Sequence, residues 1–332
     1  MTRAPRRAFL AGALSLGMPA RAQSPGPMAV LYVVITAESL HPILPVLTQF
    51  ALSRPDLLSE VLVERRDPSW LIGPIAREIE AGRPPADVVL TGTTGLLAGT
   101  TRDLWQPLPP GVRNAGGPML GHRTRLMLPL ARDVALVIAA SAGGPMLLHN
   151  AVTLPRPPRT PAELLDYARE NPERFLYPRP PLSVFGRLFV EALPHLLGDL
   201  DPAKPQAGWD KTWPYLAELG RHVGYYPASG TAALEELAEG GCDLMPGLLL
   251  SWVRQREAGG FSEEIAVALL DPAPLIPLGL FLTIPRGVPA ERIPVIEALA
   301  NFLLQPDIQM LGFGRGILPG EPGGIGLDEV DL

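Results

Sequence analysis

No constellation in this sequence has the spacing of a catalytic centre. A serine hydrolase carries its nucleophile in a Gly-x-Ser-x-Gly elbow after a strand. The nearest approach is Ala228-Ser229-Gly230, which lacks that glycine pattern. There is no phosphate loop and no His-Glu-x-x-His. The five histidines, at 41, 122, 149, 195 and 222, contain no i, i+4 pair, so no metal site is expected. Glu235-Glu236 and Glu263-Glu264 are adjacent acids that point different ways on a helix and read as solvated surface. Cys242 is the single cysteine, in an apolar Gly-Gly-Cys-Asp-Leu-Met context, and reads as an inert buried thiol. Catalytic residues, metals and cofactors are therefore not expected, although a triad assembled from distant residues would leave no local motif.

Instead, hydroxyls and glycines gather where strands turn into helices. Four such turns are Thr36 to Ser39, Thr91 to Thr94, Pro180 to Ser183 and Ser229 to Thr231; Pro246-Gly247-Leu248 is a fifth. In open α/β sheets, ligands lie beyond the carboxyl ends of strands, near helix N-termini whose free N–H groups suit polar or anionic groups. The candidate binding residues are Thr36, Glu38, Ser39, Trp70, Thr91, Gly92, Thr93, Ser183, Phe185, Ser229, Gly230, Thr231, Gly247 and Trp252. Each has a plainer reading. Ser39 and Ser229 also suit N-caps. Glu38 could pair with a cationic ligand, or could simply favour a helix N-terminus. Trp70 and Phe185 could stack on a ligand or fill core. Asp87, inside a strand ahead of its turn, reads as structural.

The elements that position these turns alternate in type. Met28 to Ile35 is a continuous apolar run suited to a strand covered on both faces. Leu40, Ile43, Leu44, Leu47 and Phe50 then recur at helical spacing. Val61 to Val63, a helix marked by Leu71, Ile75 and Ile79, and a strand from Ala86 to Leu90 complete a βαβαβ unit, which implies parallel strands. Thr160-Pro161-Ala162-Glu163 is a capping box with Pro at the first helical position. Phe175 to Tyr177, His222 to Tyr226, Asp243 to Met245 and Leu278 to Ile284 read as strands. Phe185 to Leu197, Trp209 to Leu219, a stretch carrying Leu234 and Leu237, and Ala290 to Leu303 read as helices.

The 332 residues carry a formal charge of −6 and are 47% hydrophobic, enough for one large or two ordinary packed domains. An acidic chain without a basic run is a poor nucleic-acid binder. Forty prolines and 34 glycines follow no period and mark loops. At the N-terminus, Arg3, Arg6 and Arg7 precede a short apolar stretch, Ala8 to Met18, and Ala20-Arg21-Ala22 is a small-x-small cleavage site. Residues 1–22 thus read as an export signal. Arg6-Arg7-Ala8-Phe9-Leu10 is similar to the twin-arginine motif, with Pro5 as a departure. The segment holds four Arg and no acid, so its removal leaves a charge of −10. No later stretch has the roughly 20 apolar residues that a spanning helix needs.

The order of local sequences resembles one family. Ala86-Asp87-Val88-Val89-Leu90-Thr91-Gly92, Leu104-Trp105-Gln106-Pro107-Leu108, Arg159 to Leu165 followed by Asn171-Pro172-Glu173-Arg174-Phe175, Tyr226-Pro227-Ala228-Ser229, Gly240 to Leu244, and Ala300 to Gln309 carry the likeness over about residues 28–310. The family is the periplasmic solute-binding proteins of ABC importers, in the branch that binds thiamine, polyamines and iron. The ligand does not transfer with the resemblance. Some ferric-binding relatives use adjacent tyrosines after a later strand; the corresponding stretch here, Leu248 to Trp252, has none, and Tyr225-Tyr226 falls elsewhere.

The resemblance implies a two-lobed α/β fold of the type II periplasmic-binding class, with parallel-rich sheets, helices on both faces and hinge strands between lobes. Lobe one is expected at 25–130 plus 268–304, lobe two at 131–267, and a C-terminal segment with a loose end at 305–332. The implied protein is a periplasmic monomer and not an enzyme. It holds a small polar solute, cationic if Glu38 faces the cleft, and passes it to a permease in the inner membrane. A periplasmic sensor of the same fold and a secreted hydrolase are the alternatives.

Overall fold

The computed structural model describes residues 29–36, 43–66, 71, 73–115, 122–248, 251–252, 255–256, 258–271 and 276–313. The expected export signal lies outside these residues, and so do 314–332.

The first unit forms as its periodicities dictate. β1 (Ala29–Ile35), α1 (Ile43–Ser53), β2 (Leu58–Arg65), α2 (Pro74–Glu80), β3 (Val88–Gly92) and α3 (Thr93–Thr101) follow in order. β1 pairs in parallel with β2 on one side and β3 on the other. After α4 (Pro110–Arg113) and α5 (His122–Ala131), β4 (Ala135–Gly144) ends this half of the chain. β8 (Ile276–Thr283) inserts antiparallel between β3 and β4, giving the order β2-β1-β3-β8-β4. The 3-10 turn Ala290–Arg292, α11 (Ile293–Leu303) and α12 (Pro306–Phe313) then return to the same sheet.

The period-two side-chain alternation of the strands builds two cores. Leu31, Val33, Ile35, Val88, Leu90, Leu280 and Leu282 pack on one face with Phe50 of α1 and Ile296 and Leu299 of α11. Val34, Val89, Val137 and Phe281 pack on the other with Ile75 of α2, Leu96 of α3 and Met127 of α5. Each fully buried large apolar side chain contributes roughly 1.5–3 kcal/mol.

The second sheet has the order β6-β5-β7, from β5 (Met146–Asn150), β6 (Leu244–Gly247) and β7 (Ile265–Ala268). Both ladders are antiparallel, so the expected parallel strands are confined to β1, β2 and β3. α6 (Pro161–Glu170), α7 (Val184–Leu197), α8 (Pro205–Gly208), α9 (Thr212–Leu219) and α10 (Gly230–Ala238) fill the chain between β5 and β6. Leu147 and Leu244 face a core with Phe175 and Phe189; Leu148 and Met245 face a second core with Phe185, Leu188 and Leu234.

Local chemistry explains several boundaries. Thr160 caps α6 by accepting from the Glu163 N–H at 3.2 Å, and the Glu163 carboxylate accepts from the Arg159 N–H at 2.7 Å. Trp209 to Leu219 is not one helix. The Asp199 carboxylate accepts from the N–H groups of Lys211 and Thr212 at 2.7 and 3.1 Å, and so starts α9 afresh. His222 to Tyr226 is not a strand but an extended loop whose Tyr226 ring lies edge-on to Tyr177, 5.0 Å between centroids. Phe175 to Tyr177 contributes only a parallel bridge from Phe175 to Leu244.

Two features bear on where the chain passes between the sheets and on how its C-terminal part begins. β4 lies wholly in the five-stranded sheet, because its partner is β8 and not a strand of the second sheet. The chain therefore passes to the second sheet at Gly144-Pro145 and returns between β7 and β8. The C-terminal segment also begins with an ordered element: in α12 Ile308 is buried, and the Gln309 amide donates to the carbonyls of Ile138 and Leu303 at 3.1 and 2.6 Å. Ile138 is the extra residue where the β4–β8 register shifts, so its carbonyl takes a side-chain donor from α12.

Candidate functional site

At the end of β1 and β3, Thr36 and Thr91 meet. The Thr36 hydroxyl donates to that of Thr91 at 2.7 Å, and both residues are essentially inaccessible. The two hydroxyls that the sequence marks as candidates are thus engaged with each other, tying the carboxyl ends of adjacent strands. Gly92 and Thr93 are half-buried and stand one step further out, with Gly92 as the N-cap of α3. The Thr93 hydroxyl accepts from the N–H of Gly279 in β8 at 3.5 Å. Glu38, Ser39 and Trp70 lie outside the described residues.

The second group stands on two loops that run together. Both contain a Tyr-Pro step, at 177–178 and 226–227, and both end in a serine N-cap. Ser183 accepts from the Phe185 N–H at 3.3 Å and starts α7; Ser229 accepts from the Ala232 N–H at 3.1 Å and starts α10. The Arg179 N–H donates to the Pro227 carbonyl at 3.0 Å and joins the loops. The Phe185 ring is core, and it lies so close to Gly230 that a Cβ there would stand 3.0 Å from its Cε2. Gly230 is therefore what allows the two N-termini to sit side by side. Ser183 is buried, Ser229 and Gly230 are half-buried, and Thr231 is exposed.

Gly247 and Trp252 separate. Gly247, at the end of β6, is buried beside the crossing. A Cβ on Gly144 would meet its carbonyl at 3.1 Å, and Gly144 itself holds φ +142°. Trp252 is half-buried against the core that contains Phe185. Its indole N–H donates to the Ile265 carbonyl at 2.9 Å, and the Arg256 guanidinium stands 5.5 Å from the ring centroid. Its one polar group is thus engaged within the second unit.

The two groups are related through the crossing. Thr93 touches Gly279, which pairs with Ala140, while Gly247 lies against Gly144, which pairs with Ile276. One candidate from each sheet thus flanks the same pair of strands. The first loop also presents Arg179 and Leu182 to solvent, Leu182 at 50% exposure; Leu182 falls within the marked Pro180 to Ser183 turn, and Arg179 stands just before it.

Behind the turns, two aspartates lock the strands. Asp87, one residue ahead of β3, takes two hydrogen bonds from Arg292, at 2.7 and 2.5 Å, and one from the Tyr32 N–H at 2.8 Å. Asp243, one residue ahead of β6, accepts from Arg174 at 2.8 and 2.5 Å, Thr153 at 2.7 Å and Tyr167 at 3.1 Å. Burial alone would raise the Asp243 carboxyl, but the bonds from Arg174 and Thr153 outweigh it and hold it below its ordinary value. The same environment burdens Cys242, whose thiol burial pushes up to about 12. Burial, with Glu236 beside it, pushes the Tyr225 phenol up to about 12 as well. Among the described residues no group of three His, Cys, Asp or Glu could hold a metal ion. No described helix is long and apolar enough to cross a membrane.

Known structures share this fold. An ABC transporter substrate-binding protein from Bradyrhizobium japonicum USDA 110 superposes with a TM-score of 0.67 at 16% identity, covering 91% of this chain and 88% of that one. Iron-bound HitA from Pseudomonas aeruginosa superposes with a TM-score of 0.66 at 15% identity, covering 92% of each. Likeness at these identities is one of fold, the type II periplasmic-binding fold. Protein YnjB of Escherichia coli strain K12 is 30% identical over 168 residues, which span 47% of this chain and only 42% of that protein. The family described as bacterial extracellular solute-binding protein matches residues 60–323, so this chain belongs to the bacterial extracellular solute-binding proteins.

Proposed function

We propose that this protein captures a small polar organic solute between two lobes and delivers it to an ABC permease of the inner membrane. In this reading one lobe is built on the five-stranded sheet, the other on the three-stranded sheet, and β4–β5 and β7–β8 form the hinge. The supporting observation is the pairing of Thr93 with Gly279 and of Gly247 with Gly144 across one crossing. A solute lying there would touch Gly92 and Thr93 from one side, and the N-termini of α7 and α10, with Ser229, Gly230 and Thr231, from the other. Closure then follows from contacts that exist only when both walls reach the solute. The exported form would begin near Gln23 and work as a monomer in the periplasm. If Glu38, three residues beyond β1 in the sequence, faces the cleft, the solute is cationic.

Native mass spectrometry of the protein purified gently from its own periplasm tests this reading. The expected spectrum is a monomer carrying an additional small mass that is lost on denaturation. A bare protein that is also unmoved in thermal shift by a panel of organic cations and anions would overturn it.

A further inference from the structure

One polar side chain of the five-stranded unit is buried without being fully satisfied. Gln309, on α12, is 7% exposed. Its Nε2 donates to the carbonyls of Ile138 in β4 and Leu303 in α11, at 3.1 and 2.6 Å. Its Oε1 is inaccessible and finds no donor among the described residues. The two carbonyls fix which way the amide points, because only its nitrogen can face them. A buried acceptor left without a donor costs stability, so an apolar side chain of the same shape would serve the packing at least as well. The amide is therefore explained by what it holds and not by what it adds to the core.

What it holds is the extra residue of β4. Val137 pairs with Phe281 and Ala139 with Leu280, so β4 advances two residues where β8 advances one. Ile138 is left out of the ladder. Ile138 and Ala139 consequently share one core, while Val137 and Ala140 before and after them share the other. Beyond this bulge Ala140 pairs with Gly279 and Ser141 with Leu278, and Gly144 reaches Ile276 at the crossing. Gly279 is the residue whose N–H donates to Thr93. Without the bulge, β4 would stand one residue further along β8 with its side chains on the wrong faces.

We propose that Gln309 is a positioning residue of the solute site. It fixes the bulge by holding the Ile138 carbonyl, and the bulge fixes where β4 delivers the chain to the crossing. It acts from the opposite face of the sheet. Ile308 of α12 packs in the core shared with α1 and α11, whereas Leu96 of α3, the helix that carries Thr93, packs in the other. This role rests on the reading of β4–β5 and β7–β8 as the hinge: a looser bulge would widen the range of separations that the two units sample.

Two readouts in the full-length chain test the proposal without any solute. Amide exchange over residues 135–144 reads the brace. Spin labels at Leu97→Cys in α3 and Leu200→Cys after α7 read the separation of the two units; both sites are exposed, at 46% and 96%, and the native Cys242 is buried. Gln309→Met keeps the length of the side chain and removes both donors. It should speed exchange over 135–144 at least tenfold and broaden the distribution of distances between the labels. Gln309→Asn withdraws the amide by one methylene and should act in the same direction more weakly, which covers a Met variant that does not fold. Ile308→Val trims the neighbouring buried contact, so it should lower stability and leave both readouts at wild type. Unchanged exchange or an unchanged distance distribution in the Gln309 variants, or equal broadening by Ile308→Val, would overturn the proposal. Failure of the capture reading would appear in the native mass spectrum instead and leave these two readouts as they are.

Discussion

Asp87 and Asp243 do the same work in the two sheets. Each precedes a strand whose far end carries candidate binding residues, and each is clasped by an arginine from a distant part of the chain. Breaking a buried pair leaves an uncompensated charge, at a typical cost of 3–5 kcal/mol. Arg174 is 37% exposed and keeps contact with solvent, so Asp243→Ala should cost less, about 1.5–3 kcal/mol, the worth of hydrogen bonds to a charged group. The dependence on pH follows from the depressed carboxyl. Asp243 ionises more easily folded than unfolded, so its contribution is complete above its unfolded value near 3.8 and is lost as pH falls through the lower folded value. Urea titrations of wild type and variant should differ fully at pH 7 and converge toward pH 2; a constant gap would refute the assignment. Glu38 belongs to the same scale. Glu38→Gln should weaken an organic cation more than tenfold, about 1.4 kcal/mol by calorimetry. Unchanged affinity in a folded variant would remove the cationic reading.

Among the helices, start signals carry two meanings that substitution can separate. Thr160 and Ser229 are both N-caps with a hydroxyl accepting from the third N–H beyond, at 3.2 and 3.1 Å. Each, replaced by Ala, should cost about 1 kcal/mol of stability. Thr160 starts α6, which carries none of the candidate binding residues, so its loss should leave solute affinity unchanged. Ser229 starts α10 beside α7, so its loss should also weaken binding. Equal affinity for the two variants in parallel thermal melts and titrations would reduce Ser229 to a cap.

For the molecule as a whole, the crossing decides behaviour. Gly144 holds φ +142° with the Gly247 carbonyl close by, a backbone that costs a residue with a Cβ about 1–3 kcal/mol. Gly144→Ala should lower the unfolding free energy by that amount in a denaturant titration, and, if the proposed walls meet at this crossing, should also reduce solute affinity. Ligand at a hundred times its dissociation constant should stabilise the wild type by about 2.7 kcal/mol. A Gly144→Ala protein with wild-type affinity would place the hinge elsewhere.

Periodicity, caps and turn residues are local properties, and they placed most of the strands and helices they were read for, but they did not separate the extended loop His222 to Tyr226 from a strand or split Trp209 to Leu219 at α9. The β1–β3 unit, the Thr160 box and the serine starts of α7 and α10 were all legible from neighbours within a few positions, because their energetics are settled within one turn or one pleat. Fold class was legible for the same reason, summed along the chain. What tertiary structure alone decided are the pairings across long separations. β4 joined β8 and not the second sheet; Arg292 reached Asp87 across 205 positions; Gln309 reached Ile138 across 171. Thr36 and Thr91 turned inward on each other, while Thr93 at the start of α3 and Gly247 at the end of β6 came to lie against β8 and β4, the strands beside one crossing. Hydrogen-bond partners are chosen by proximity in space, and only the packed sheets bring these residues together.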